Sequence, residues 1–303
     1  MNKLGTRIAA LASITLLGTC LVPASVSEAA ITPENPEVEA LQMPAWVTRA
    51  GKRAPLALGA RIKNGDTITT GAGSRVLLRM PEGSAVKLGE NARFDLNDAQ
   101  RGDRGQPSYR ASLGIRQGAF RFTTAPEDKA HALRDIKIEL ATVTASIVGT
   151  DIWGKSGIDR DIVALIEGKV EVSRKGDAPT TLDEPNSVFV APTDAKPTST
   201  IKITLAQLNA FAQETEIRPG SGASGKGGSW KVYASRSARS EDAAAALDRL
   251  SDAGYAASIE RAVSQGKQVY QVRIAGVLSE ADGVAIAVKL RVELGLQDVR
   301  VSL

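Results

Sequence analysis

The chain has 303 residues, 43% of them hydrophobic and 24% charged, which is an ordinary globular composition and excludes fibrous and disordered classes. This length allows about two domains. The net charge of +4 is mildly basic, and no run of Lys and Arg interleaves with aromatic residues, so nucleic-acid binding is not indicated.

The N-terminus has the pattern of a secretory signal peptide. Two basic residues precede an apolar run over 8–22, and small residues follow it. Ser27 and Ala29 fit the small-x-small rule for cleavage, so we expect a cleaved segment 1–29 and export to the periplasm. An uncut membrane anchor is the alternative, although the apolar run is short for a bilayer span.

Cys20 is the only cysteine and lies inside this apolar run. Cleavage after Ala29 leaves a mature chain without cysteine, which excludes disulfides. Leu17-Gly18-Thr19-Cys20 is similar to a lipoprotein box, in which the cysteine becomes the lipidated first residue. Such boxes normally carry Gly, Ala or Ser before the cysteine, so lipidation at Cys20 is the less favoured alternative. Apart from it, membrane contact is expected only through the signal peptide.

Residues 43–192 have a β pattern. Apolar alternations over 75–80, 85–88, 162–166 and 169–172 are separated by glycine-containing turns. Short strands with such turns indicate an all-β domain, a sandwich or a solenoid.

Residues 193–228 have the composition of a linker. Thr204, with Gln207 three residues later, forms a capping-box signature that predicts a short helix near 205–214. The Gly/Ser-rich stretch 219–228 is typical of flexible coil. It is the clearest domain boundary in the sequence.

Residues 229–303 alternate between strand and helix patterns in the order βαββαβ. Strands are predicted over 230–235, 255–263, 267–274 and 299–303. Ser240 and Ser279 are the predicted helix caps. The predicted buried helix residues are Ala243, Ala246, Leu247 and Leu250 in the first helix, and Val284, Ala287, Val288 and Leu290 in the second. This order predicts a ferredoxin-like or RNP-like α+β fold, whose antiparallel sheet carries both helices on one face and leaves the other open.

The stretch 230–257, WKVYASRSARSEDAAAALDRLSDAGYAA, resembles the SPOR family of bacterial cell-wall-binding domains. That family opens with an aromatic residue, a Val-Gln pair and Gly-x-Phe, followed by an Ala-rich helix that ends in Leu-x-x-x-Gly. The resemblance implies binding of peptidoglycan glycan strands that lack stem peptides, on the open sheet face. The departures from the family pattern are Tyr233 for Gln, Ser235 for Gly, Ser237 for Phe and Gln271 for Arg.

Side-chain alternation predicts which residues of this module face the open side. The residues expected to face the helices are Trp230, Val232, Ala234, Tyr270, Val272 and Ile274. The candidate glycan-binding residues are Lys231, Tyr233, Ser235, Ser258, Glu260, Gln271 and Arg273. For each of them, an ordinary polar sheet position is the alternative. Tyr233 can stack on a sugar ring and offers a hydroxyl group.

The β domain is similar to FecR-type domains over about 44–192. The motifs that carry this resemblance are GDTITTG at 65–71, the Gly83-Ser84 turn, RQGAF at 116–120, VGTDI at 148–152 and LIEGKV at 165–170. Thr150 and Asp151 are expected to satisfy a turn. The resemblance implies a sensor or interaction module that contacts an envelope protein. The transmembrane and cytoplasmic segments of the name-giving regulators are absent, so anti-sigma activity is not expected.

The sequence does not predict catalysis, a metal site or a cofactor. No Gly-x-Ser-x-Gly elbow sits on a strand-to-helix turn, since the glycine- and serine-rich residues 220–225 lie in the linker, and the only histidine, His131, lies in the charged loop 125–134. The acids Asp95, Asp98, Asp103 and Glu127 lie in or beside loops, including the polar loop predicted over 97–107. We therefore favour a non-catalytic peptidoglycan-binding envelope protein. A protein-interaction scaffold that has lost glycan binding is the alternative, and a cell-wall enzyme is the least favoured.

Overall fold

The structure, a computed structural model, describes residues 35–101, 108–124 and 133–303. The predicted signal peptide, Cys20, Asp103, Glu127 and His131 lie outside these ranges. The early strands of the first domain are β1 Glu37–Gln42, β2 Ala45–Arg49, β3 Lys52–Pro55, β4 Thr67–Thr70, β5 Arg75–Arg79, β6 Ala85–Leu88 and β7 Arg93–Arg101. The later strands are β8 Ser108–Thr123, β9 Leu133–Glu139, β10 Val143–Ser156, β11 Arg160–Arg174, β12 Thr180–Leu182, β13 Ser187–Pro192 and β14 Thr198–Lys202. The predicted all-β architecture is confirmed.

Three long strands bend and thereby join two halves of the β-sheet. The first half of β8 pairs with β7 and with β9, and its second half pairs with β6 and β10. The bend falls at Gly118, whose φ is 87° and whose Cβ position lies 2.6 Å from the Ala92 Cα, so only glycine fits there. β10 and β11 bend together at Gly149 and Gly168. The turn predicted at Gly168 is therefore a bend within one long strand.

The two halves of the sheet enclose one core, and a helix covers part of the outer surface. Ile68 and Phe94 of one half and Leu78 and Phe122 of the other are fully buried in the same cluster. Helix α1, Leu205–Gln213, begins at Thr204 with the predicted capping box. It packs outside the sheet against Trp153, whose ring lies 4.3 Å from that of Phe211.

The C-terminal domain has the predicted βαββαβ order. Its elements are β16 Trp230–Ser237, α2 Ser240–Asp252, β17 Ser258–Ser264, β18 Lys267–Val277, α3 Glu280–Leu294 and β19 Arg300–Ser302. The strands lie in the antiparallel order β17-β18-β16-β19. Helix α3 starts at Ser279, whose hydroxyl accepts the Asp282 N–H, and ends at the left-handed Gly295. No helix among the described residues is long and apolar enough to cross a membrane.

Two details of the helices differ from the predictions. Ser240 is the first residue of α2 rather than its cap, and the cap residue Arg239 makes no side-chain bond to the helix end. In α3, Val284 and Val288 are about half exposed, while Gly283 and Ile286 are buried. The apolar residues of α3 extend around much of its circumference, so periodicity alone misplaced the buried side by about one residue.

The stretch 219–228 contains a buried strand, so the predicted flexible coil is wrong there. Strand β15, Ala223–Gly225, pairs with β1 of the first domain and, at Ser224, with β18 of the second. A second contact lies at Trp46, whose Nε1 donates to the Asp252 carbonyl oxygen at 3.2 Å. Both domains belong to one compact unit, and their buried residues form a continuous cluster.

Candidate glycan-binding face

A row of polar side chains crosses the open face of the C-terminal sheet. The register pairs Ser258 with Arg273, Arg273 with Tyr233, and Tyr233 with Arg300. Paired residues on adjacent strands point to the same side, with side chains about 5 Å apart. In this row Tyr233 therefore stands between two arginine residues on the neighbouring strands.

The inward residues support this row. Val232, Val272 and Ile274 are at most 1% exposed, which agrees with the predicted alternation. The second strand was predicted to start at Tyr255, but β17 starts at Ser258. Tyr255 lies just before this strand and is fully buried, and its hydroxyl donates to Glu293 at 2.6 Å. Burial raises the pKa of its hydroxyl far above the usual value, and the neighbouring Glu293 adds to that. The face is thus carried by a well-packed layer.

A β-bulge changes which residue of β16 faces outward after Tyr233. Ser235 pairs with the buried Val272, and Arg236 pairs with Gln271. Two residues of β16 therefore oppose one residue of β18, which places Ala234 and Ser235 on the same side. The Ser235 Oγ is buried without a hydrogen-bond partner among the described residues. The prediction that Ser235 faces outward is wrong, and the exposed Arg236 takes that position.

Sequence reasoning missed Arg236 and Arg300. A bulge has no clear sequence signal, so Arg236 could not have been found from alternation. Arg300 could have been, because Val299 and Val301 alternate with it and Val299 is buried. Lys231 is paired with Ser302 at the same edge of the sheet.

The face is basic, and one of its cations is paired. Lys231, Arg236, Arg273 and Arg300 bring four positive charges to it, and Glu260 brings a negative charge. The Arg273 Nε lies 2.6 Å from the Glu260 Oε2, in an ion pair that is partly exposed to solvent. Gln271 lies opposite both Glu260 and Arg236. The arrangement suits a ligand that combines flat apolar surfaces with negative charge.

Asp151 of the β domain has a structural role that differs from the predicted turn. Both of its carboxylate oxygens accept from Arg121, at 2.7 and 2.9 Å. Arg121 also donates to Glu216, which Lys87 contacts at 2.6 Å. This network, which we call the Glu216 cluster, attaches the segment after α1 to the sheet. The Thr150 hydroxyl donates to the Glu167 carbonyl oxygen across the bend.

Asp66 of the GDTITTG motif is also structural. Burial alone would raise its pKa, but hydrogen bonds from Arg49 and from the Lys63 N–H outweigh this and hold the pKa below its usual value. Asp95 accepts from Thr67 and Arg116, and Asp98 accepts from Asn64. Within 35–101, 108–124 and 133–303, no three His, Cys, Asp or Glu side chains converge as a metal site.

Comparisons with known proteins identify both domains. The model of the FecR protein family matches residues 66–171, and that of the SPOR domain family matches residues 226–302. The chain therefore contains a FecR domain followed by a SPOR domain, as the sequence predicts. FecR and SPOR domains are non-catalytic families, and their combination marks an envelope-associated protein.

Two crystal structures of a candidate anti-sigma factor from Parabacteroides distasonis ATCC 8503 are distantly similar. Both have 13% sequence identity and a TM-score of 0.38. One comparison covers 75% of this chain and 92% of that protein, and the other covers 78% and 96%. No curated protein matches the chain.

Proposed function

We propose that this is a non-catalytic periplasmic protein that binds peptidoglycan glycan strands, stripped of stem peptides, through the open face of its SPOR domain. The SPOR domain implies peptidoglycan binding, and the FecR domain implies a sensor or regulatory module. The candidate contacts are Lys231, Tyr233, Ser258, Glu260, Gln271 and Arg273, with Arg236 and Arg300 added. Ser235 has a supporting position beneath the face.

The observation that carries this proposal is the row in which Tyr233 lies between Arg273 and Arg300. Removal of a stem peptide leaves a free lactyl carboxylate on each muramic acid residue, so such strands carry regularly spaced negative charges. Arginine pairs well with carboxylates, and an aromatic ring can pack on the apolar side of a sugar. The row therefore combines the two contacts that such a strand offers.

Co-sedimentation with amidase-treated sacculi tests the proposal on the full chain without its predicted signal peptide. We expect the wild-type chain to pellet, and the Tyr233→Ala/Arg273→Ala double variant to bind at least about tenfold more weakly, which corresponds to about 1.4 kcal/mol. Arg261→Ala is the matched control, because Arg261 is exposed in the same sheet and pairs with Tyr270 on the helix side. Equal pelleting of all three proteins would contradict the proposal.

A second function is favoured by one observation. Arg273 is already paired with Glu260 at 2.6 Å, which reduces its availability to a ligand. In this alternative, the SPOR domain no longer binds glycan, and the protein is a scaffold that contacts an envelope protein through the FecR domain. Glu260→Gln distinguishes the two: it strengthens sacculus binding if Arg273 is a contact, and it leaves a non-binding protein unchanged.

A further inference from the structure

A cleft separate from the SPOR sheet face lies where the two domains meet. It has a volume of about 760 Å³ and is bounded by β5, by the segment that follows α1 and by helix α3. Because β15 and the contact from Lys289 to the Met43 carbonyl oxygen hold α3 against the β domain, both domains contribute to its walls.

Three basic side chains line this cleft without a carboxylate partner. Arg75 comes from the β domain, Arg218 from the segment after α1, and Lys289 from the SPOR domain. Across the part of the chain that the structure describes, no ion pair within 4.0 Å involves any of the three. The Arg75 Nε is buried without a hydrogen-bond partner, and its Nη1 reaches only the Ser74 carbonyl oxygen. Lys289 Nζ donates to the Met43 carbonyl oxygen at a long 3.2 Å.

The acids that line the cleft are engaged elsewhere. Glu216 is bound by Lys87 and Arg121, and Glu214 is bound by Lys155 at 2.8 Å. Glu90 accepts the Gly73 N–H at 2.7 Å. Glu216 and Glu214 are therefore paired with other cations, Glu90 binds a backbone N–H, and none of the three acids forms an ion pair with Arg75, Arg218 or Lys289.

The surroundings of Arg75 and Lys289 disfavour the positive charge of each side chain. Burial lowers the pKa of Lys289, and the nearby Arg75 lowers it further, while Glu293 acts in the opposite direction. Burial likewise lowers the pKa of Arg75, with Arg218 adding to the effect and Glu90 and Glu214 opposing it. Desolvated like charges placed together are characteristic of sites that bind an opposite charge. Ala210, Ala285 and the half-exposed Val288 supply an apolar wall beside them.

We propose that the cleft between Arg75, Arg218 and Lys289 is a binding site for an organic anion, a carboxylate or phosphate attached to an apolar group. The anionic group bridges Arg75 and Lys289, and the apolar group contacts Val288 and the two alanines. Because the ligand touches both domains, its binding stabilises their docking.

The test titrates butyrate, acetate and inorganic phosphate into the full chain without its predicted signal peptide, and NMR follows the amides of Gly73 and Ser221, two residues that line the cleft. We expect saturable shifts, with butyrate binding more tightly than acetate because of the apolar wall. Comparing the affinities for phosphate and acetate shows which anionic group the three cations prefer. Arg75→Gln and Lys289→Gln should each weaken binding at least about tenfold, and Lys169→Gln, at an exposed position of β11, should not.

The melting temperature provides a second test if a variant does not fold well enough for NMR. Saturating butyrate should raise the melting temperature of the wild-type chain and leave that of Lys289→Gln unchanged, because ligands stabilise the state they bind. Absence of saturable shifts at Gly73 and Ser221 with all three anions would overturn the proposal, as would equal affinity in Arg75→Gln. Sacculus binding by the SPOR face is an independent readout, so failure of either proposal leaves the other standing.

Discussion

The two halves of the predicted linker differ in how their sequences relate to their structures. The helix predicted near 205–214 is present as α1 and begins with the capping box that the sequence indicates. The stretch 219–228, predicted as flexible coil, instead contains a buried strand that pairs with both domains. The first signal is a set of local hydrogen bonds, whereas the second depends on contacts with residues far along the chain.

Glycine explains why composition was misleading in the second half. Glycine is permitted wherever the chain is flexible, but it is required wherever another backbone approaches closely. A Cβ atom at Gly228 would lie 2.2 Å from the Gly276 carbonyl oxygen, and one at Gly225 would lie 3.1 Å from Leu278. At these two positions, the lack of a side chain permits tight packing rather than motion.

The largest expected effect comes from Gly228→Ala. The added methyl group meets the backbone of Gly276, which cannot rotate away, so we expect the free energy of unfolding to fall by about 3 kcal/mol, the upper end for overpacking. Urea denaturation followed by circular dichroism measures this change. A flexible coil would accept the substitution without loss.

Gly227→Ala is the matched control for that change. Gly227 has a φ of 88° and open space around its Cβ position, so only backbone strain opposes the substitution. We expect a loss of about 1 kcal/mol. Equal losses for the two variants would mean that the close approach at Gly228 is unimportant.

Phe211→Ala tests the first half of the linker. Removing this half-buried ring deletes its stacking on Trp153, so we expect a loss of about 2 kcal/mol, below the range for a fully buried phenylalanine. Leu205→Ala, in the same helix but 66% exposed, should change the free energy by less than about 0.5 kcal/mol. If both variants unfold at the wild-type urea concentration, α1 does not contribute to the stability of the β domain.

Local signals predicted much of the fold. Apolar alternation predicted β5 and β6. Ser279 and Gly295 predicted the cap and the end of α3. The order βαββαβ followed from periodicity. Gly118, Gly149 and Gly168 have the positive φ expected of turn or bulge glycines. That they bend long continuous strands could not be predicted, because each bend depends on a strand that lies elsewhere in the chain. The polar stretch predicted as a loop from residue 97 continues β7 to Arg101, since pairing with β8 outweighs its polar composition.

In the candidate glycan site, too, local alternation predicted some positions and not others. Tyr233 and Arg273 could be placed on the open face because alternation holds through them. After Tyr233 the bulge moves Ser235 inward and brings Arg236 to the face, which period-two reasoning cannot anticipate. The interdomain cleft was not predicted at all, because its cations lie at positions 75, 218 and 289 and meet only after docking.

Glu216→Gln has the smallest expected effect of the three test substitutions, controls aside, and tests how the end of the α1 segment is held. The substitution keeps the shape of the side chain but removes the charge that Lys87 and Arg121 share at 2.6 and 3.0 Å. We expect a loss of about 1 kcal/mol, because these side chains are only 20–30% exposed and Arg121 retains Asp151.

Glu184→Gln provides the comparison for Glu216→Gln. Glu184 is paired with Lys202, and both side chains are 65% exposed, so we expect a change near zero, as is usual for surface ion pairs. A loss for Glu216→Gln that exceeds the loss for Glu184→Gln in urea denaturation would show that the Glu216 cluster fastens α1 to the sheet. Equal losses would mean that the Trp153–Phe211 contact alone holds the helix in place, and the first half of the linker would then depend on one aromatic pair.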